Sequence, residues 1–144
     1  MKAFVIHGPN LNLLGSRELH VYGDRTLEEV NAIVSREAEA LGFELEFFQS
    51  AREGEIIELL HSGMEAKIDG VLLNPAAYSH TSRAIADAVR AVPFPVIEVH
   101  LSNIHARDEW RRKSVTAEAA RGIVAGFGAH SYVAALVALK GVLS

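Results

Sequence analysis

The sequence predicts an α/β domain: one parallel sheet covered on both faces by helices. Two observations predict it. Short apolar runs alternate with amphipathic stretches five times within 144 residues, the pattern of consecutive βα units. The run Val71-Leu72-Leu73 has no polar interruption, as a central parallel strand buried on both faces requires.

Ala3 to Ile6 is the first strand. A βα unit normally turns within roughly 2–6 residues into its helix, but here the stretch from His7 to Gly23 intervenes. It interleaves Leu11, Leu13, Leu14, Leu19, Val21 and Tyr22 with Asn10, Asn12, Arg17 and His20, and Gly8, Gly15 and Gly23 break it at three points. That composition suits a hinged lid better than a disordered linker. Thr26 and Glu29 form a capping-box pattern, and Leu27, Val30, Ile33, Val34, Ala38 and Leu41 recur at helical spacing up to Gly42. Phe43 to Phe48 alternates apolar and acidic residues, as a strand near a sheet edge would. Gly54 to about Lys67 reads as the second helix, with Ile57, Leu60 and Met64 inward. After the central run comes Asn74-Pro75-Ala76-Ala77-Tyr78-Ser79-His80-Thr81-Ser82, then a helix facing inward through Ile85, Ala88, Val89 and Val92. Pro93 and Pro95 lead into the fourth strand, Val96 to Val99, followed by His100-Leu101-Ser102-Asn103. A polar segment with Arg107, Trp110, Arg111, Arg112 and Lys113 precedes a fifth strand, Gly122 to Phe127. The last helix, Ser131 to Leu143, is expected to turn on Val133, Leu136, Val137 and Leu139 or Lys140. Five strands in this length fit the flavodoxin-like order 2-1-3-4-5, as a single domain spanning 1–144.

Composition removes several function classes. The formal charge of −4 gives no nucleic-acid surface, and no apolar run is long enough for a membrane span, so the expected location is the cytoplasm. With no cysteine there is no disulfide, thiolate metal site or cysteine nucleophile. His-Gly-Pro-Asn is neither a GxGxxG nor a Walker loop. The spacing of His100 and His105 matches no common zinc arrangement. Asn74 stands where a receiver domain wants aspartate, and none of the lysines falls on a strand end that would face a ligand crevice, which argues against Schiff-base chemistry.

In doubly wound sheets, ligands bind beyond the carboxyl ends of the strands, where the strand order reverses. The loops after strands one, three and four share that crevice. They carry Asn10, Arg17 and Tyr22; Asn74, His80 and Ser82; Glu98, His100 and Ser102. Each also has an ordinary structural reading. Ser79 and His80 start a helix, where capping is common. Asn74 before Pro75 can shape a turn. Glu98 and His100 point to one side of an extended chain, either as a structural ion pair or as an acid/base unit. Arg111 to Lys113 reads as a solvated cluster or an anion clamp, and Tyr22 and Trp110 as packing residues. The chemistry left open to the crevice is acid/base work by histidine and an activated tyrosine, without cofactor or metal.

These segments resemble type II 3-dehydroquinate dehydratases. The likeness runs through His-Gly-Pro-Asn-Leu-Asn-Leu-Leu-Gly with Arg17 and Tyr22-Gly23, through 74–82, through 97–107 and through Arg111-Arg112-Lys113-Ser114, covering almost the whole chain in order. The resemblance implies a flavodoxin-like fold, a homododecamer built as a tetramer of trimers, no cofactor, and dehydration of 3-dehydroquinate by anti elimination through an enolate. It assigns Tyr22 as base, Arg17 to the transition state, Asn10 to a water beside the enolate oxygen, and His100, oriented by Glu98, as acid. A nearby guanidinium favours phenolate, which makes Arg17 a reasonable activator of Tyr22. Leu101 and Ser102 would hold the substrate carboxylate. Asn74, His80 and Arg111 would bind the ring oxygens, and Asp87 would reach a neighbouring subunit's site. Leu19, Ala86 and Ser131 stand where the family commonly has proline, arginine and glycine. Leu19 loosens the lid and Ala86 removes a charge beside Asp87, but no catalytic group is lost. Two other readings use the same residues: an anion or flavin carrier on this scaffold, and a cofactor-free lyase or isomerase acting on a related cyclic polyol acid.

Overall fold

The computed structural model describes residues 1–144. Its sheet has the order β2-β1-β3-β4-β5, all parallel, built from β1 (Lys2–His7), β2 (Glu44–Gln49), β3 (Gly70–Asn74), β4 (Val96–His100) and β5 (Gly122–Ala125). β3 and β4 are buried along their whole length, whereas edge strand β2 keeps Glu44 and Glu46 in solvent. The helices are α1 (Leu19–Tyr22), α2 (Leu27–Leu41), α3 (Glu53–Glu65), α4 (Arg83–Ala91) and α5 (His130–Leu143). The flavodoxin-like order expected from the sequence is the observed one.

Side chains alternate across each strand, so the two sheet faces bury different sets. Ala3, Val5, Leu72, Ile97 and Val99 pack under α2 and α5. Phe4, Ile6, Val71, Leu73 and Val96 pack under α3 and α4. Each fully buried Leu or Ile contributes about 1.5–3 kcal/mol of transfer free energy. Local chemistry sets the helix ends. Thr26 Oγ1 accepts from the Glu29 N–H while the Glu29 carboxylate accepts from the Thr26 N–H, and Gly42 closes α2 at φ 82°. Ser82 Oγ accepts from the Ile85 N–H at the start of α4. Ser131 Oγ accepts from the Phe127 N–H at 2.9 Å, a hydrogen bond that a glycine there could not make.

Two helices turn a different face inward than the spacing suggested. α3 buries Ile56, Leu60 and Gly63 and leaves Met64 exposed. The reason is Gly63: a Cβ there would lie 2.7 Å from Ile68 Cδ1 and 2.9 Å from Phe94 Cζ, so glycine lets the helix seat this closely without displacing those side chains. α5 buries Tyr132, Ala135, Leu136 and Leu139, while Val137 faces solvent. That helix is apolar on several sides, so periodicity alone could not choose between them. β5 stops at Ala125 rather than Phe127, because Gly126 turns the chain at φ 101° and Phe127 points outward.

Candidate active site

The loops beyond the carboxyl ends of β1, β3 and β4 enclose a cavity lined by Asn10, Arg17, Tyr22, Asn74, His80, His100, Leu101, Ser102, Arg107, Trp110 and Arg111 among others. Nine of the residues singled out from sequence therefore meet at one place. Glu98 does not line it but lies directly behind His100. Asp87 sits on the exposed face of α4, away from this chain's cavity. Ser82 is buried as the cap of α4. No carboxylate lines the cavity, although three guanidinium groups and two imidazoles do. In a chain of net charge −4 this is a local concentration of cationic groups, suited to an anionic ligand.

The wall between the first and third loops is built from backbone. The Gly8 N–H donates to the Asn74 carbonyl at 2.7 Å, and a Cβ on Gly8 would come within 2.7 Å of the Pro75 carbonyl. Asn10 follows in the left-handed region at φ 69°, and Leu11 and Leu14 are buried beneath the loop. Beyond them the chain is more exposed. Gly15, at φ 88°, lies against Asp24 to Thr26, so the ends of the 16–23 segment meet and the segment closes on itself. Within it lies α1, a single turn with Leu19 exposed at its start, which no periodicity in the sequence signals.

Tyr22 ends that turn between two guanidinium groups. Arg17 lies 5.2 Å and Arg107 5.3 Å from its ring centroid, and Arg107 Nη1 donates to the Tyr22 oxygen at 2.7 Å. Arg17, expected to activate Tyr22, lies over the ring face and bonds Glu18. Its hydrogen bond, and secondarily the charges of Arg17, Arg107 and Arg111, hold the Glu18 carboxyl below its ordinary range. Arg107 also lies 3.5 Å from Ser102 Oγ.

On the α3/α4 side of the sheet, His100 Nε2 donates to the fully buried Glu98 carboxylate at 2.8 Å. Ser114 Oγ donates to the same carboxylate at 2.6 Å, and Thr116 Oγ1 bonds its other oxygen. Three donors thus compensate the cost of burying this carboxyl group. With Nε2 committed, His100 Nδ1 is the nitrogen open to a ligand. His80 donates through Nδ1 to the Lys113 carbonyl at 2.8 Å and meets the edge of Trp110 at 5.1 Å, and Arg111 covers the same indole at 4.2 Å.

On the opposite face, Asn74 bonds Tyr132, and Tyr132 bonds the buried His7, which in turn bonds Asn31. Burial lowers the His7 pKa to about 4, and burial also raises that of Tyr132. Arg107, Ser114, Thr116, His7 and Tyr132 were assigned no role from sequence. A serine and a threonine two apart shortly after the basic cluster were the available signal for the Glu98 donors.

The family model for class II dehydroquinase matches residues 1–140. The chain belongs to the class II dehydroquinase family. A 3-dehydroquinate dehydratase of Caldicellulosiruptor bescii is 56% identical over 142 residues, covering 99% of this chain and 98% of the relative. Among solved structures, the type II dehydroquinase of Butyrivibrio crossotus superposes with a TM-score of 0.95 at 39% identity, covering 97% of each chain. That of Propionibacterium acnes gives 0.92 at 38% identity, covering 97% of this chain and 96% of the other. Relative and chain share almost their full lengths, so the cavity belongs to the matched region of the dehydroquinase. No helix is long and apolar enough to cross a membrane.

Proposed function

We propose that this dehydroquinase converts 3-dehydroquinate to 3-dehydroshikimate by anti elimination through an enolate. The observation that carries the reading is the pairing of Tyr22 and His100 in one cavity lined with cations and free of carboxylates. An anionic, polyhydroxylated ring fits that lining. Tyr22 takes the proton next to the ketone, and the electron pair moves onto the ketone oxygen as an enolate. Asn10 holds a water against that oxygen. The enolate collapses, the bond from carbon to the leaving hydroxyl breaks, and His100 delivers a proton from Nδ1 so that water departs. Glu98 keeps the imidazole oriented throughout, and Ser114 and Thr116 keep Glu98 in place.

The substrate carboxylate binds at the Leu101 and Ser102 backbone and the Ser102 hydroxyl, with Asn74, His80 and Arg111 on the ring oxygens. Arg17 stabilises the transition state, and Arg107, a charged donor already on the Tyr22 oxygen, stabilises negative charge left there when that oxygen carries no proton. Asp87 reaches the site of a neighbouring subunit in a homododecamer, a tetramer of trimers, in the cytoplasm; light scattering that returned a monomer would remove the assembly.

The product is a conjugated enone, so ultraviolet absorbance tests the reaction directly. Purified protein with 3-dehydroquinate should give a steady rise, and a flat trace rejects the activity. Tyr22→Phe should abolish turnover while leaving substrate binding largely intact; near-normal kcat in that variant removes the proposed base. A panel of related cyclic polyol acids separates this substrate from its neighbours.

A further inference from the structure

We infer that Tyr132 and His7, on the face of the sheet away from the Glu98 network, are positioning residues that, together with the Ala76 N–H, hold the Asn74 amide in one orientation toward the cavity. The inference rests on the reading of Asn74 as a substrate-binding group. Its starting point is a backbone donor. The Ala76 N–H lies 3.1 Å from Asn74 Oδ1 and can only donate, so the amide oxygen occupies that side. The amide nitrogen is then the atom 3.0 Å from the Tyr132 oxygen, and it donates there. Tyr132 must send its own proton elsewhere. The other partner of its hydroxyl is His7 Nδ1 at 2.8 Å, which therefore accepts. His7 carries its proton on Nε2 and donates it to Asn31 Oδ1 at 2.8 Å. Each of the three contacts in this chain of four side chains pairs one donor with one acceptor under a single assignment, and reversing any member leaves two hydrogens or two lone pairs facing each other.

Tyr132 is 0% and His7 1% exposed, so neither can exchange its partner for water. Burial also disfavours protonating His7, the state that would put hydrogens on both ring nitrogens and reverse the chain. Asn74 itself uses one N–H and one oxygen lone pair within the protein. Its second N–H has no partner within the protein, and since Asn74 lines the cavity, it serves there as a donor to a ligand oxygen. An asparagine free to flip would offer an acceptor there half of the time. The network therefore selects a hydroxyl or carbonyl acceptor on the substrate at that position, and it ties α2 and α5 to the binding step although neither helix lines the cavity with these residues.

The test uses the full chain with Tyr132→Phe, Asn74→Ala and the double variant, read by enone formation. Tyr132→Phe should raise KM about fivefold to tenfold, the worth of one neutral hydrogen bond, with kcat within about twofold. In the Asn74→Ala background the same substitution should add nothing. A role confined to stability would lower the unfolding midpoint without moving KM. Additive effects in the double variant, or an unchanged KM in Tyr132→Phe, overturn the inference. Should Tyr132→Phe not fold, Asn31→Ala removes the far end of the chain and should raise KM about twofold to fivefold, again only when Asn74 is present. A crystal structure of the folded variant gives a readout independent of turnover. An amide still bonded to Ala76 in a single orientation overturns the inference, whereas a turned or split Asn74 supports it. If the unmodified protein forms no enone, the activity fails and the structural readout alone decides the positioning.

Discussion

Acid should destabilise this protein through one residue in particular. His7 is buried and its pKa is lowered from the ordinary 6.5 to about 4. In the folded state it stays neutral down to about that pH, whereas in the unfolded chain it takes up a proton once the pH falls below 6.5. The unfolded state therefore binds more protons throughout this window, and stability falls as pH falls. The contribution is intact above 6.5, declines between 6.5 and 4, and is constant below. The 2.5-unit difference amounts in full to about 3 kcal/mol, of which about 2 kcal/mol is lost between pH 7 and pH 5. The perturbation is His7→Gln, which cannot titrate. Urea unfolding is measured at pH 7 and pH 5 for both proteins at one protein concentration, because any self-association adds to apparent stability. The variant will be less stable at pH 7 through its lost hydrogen bonds, so the quantity that matters is the change with pH. That change should be smaller in the variant by about 2 kcal/mol. Equal pH dependence in the two proteins would refute the assignment of a buried, neutral His7.

Three further outcomes can be checked with ordinary assays. Arg107→Met removes the donor on the Tyr22 oxygen and should lower kcat about a hundredfold, measured by enone absorbance, with the folded state retained. Thr116→Val strips one of three donors from the buried Glu98 carboxylate and should cost about 1–3 kcal/mol in denaturant unfolding, with turnover falling as well because His100 loses its fixed partner. Thr26→Ala breaks the capping box of α2 in an exposed position, and it should cost about 1 kcal/mol of stability while leaving kcat/KM unchanged.

The sheet order was legible because unbroken apolar runs and cap residues are local signals. Val71 to Leu73 could only be a strand with cover on both sides, and Thr26 with Glu29 marks a helix start without help from the rest of the chain. The helix faces were less legible. In α3 the inward position belongs to Gly63, whose value lies in what it lacks, and hydrophobic spacing pointed instead to Met64. For the site, topology alone brought the three loops together, so Asn10, Tyr22, Asn74 and His100 could be placed from the order of elements. Arg107 escaped because its segment has no period and its partner Tyr22 is reached only through the fold. Tyr132 escaped for a related reason. It sits in a helix whose apolar composition declared packing, and its hydroxyl meets Asn74 58 positions away.

The contact at Gly8 has a consequence for what the cavity can admit. Where the first and third loops touch, the gap is set by peptide groups bonded to each other, with no side chain between them that could rotate aside. On the other side stand Arg17 and Tyr22, carried on a short closed segment hinged at glycines. The cavity thus has one wall of bonded peptide groups and one wall of side chains on a separate short segment. A ligand too bulky for the peptide wall is refused whatever the segment does. One that is merely longer in the other direction would have to displace the Tyr22 side, and if Tyr22 is the base proposed above, binding would then cost turnover. Size discrimination along one axis would then act on binding, and along the other on turnover.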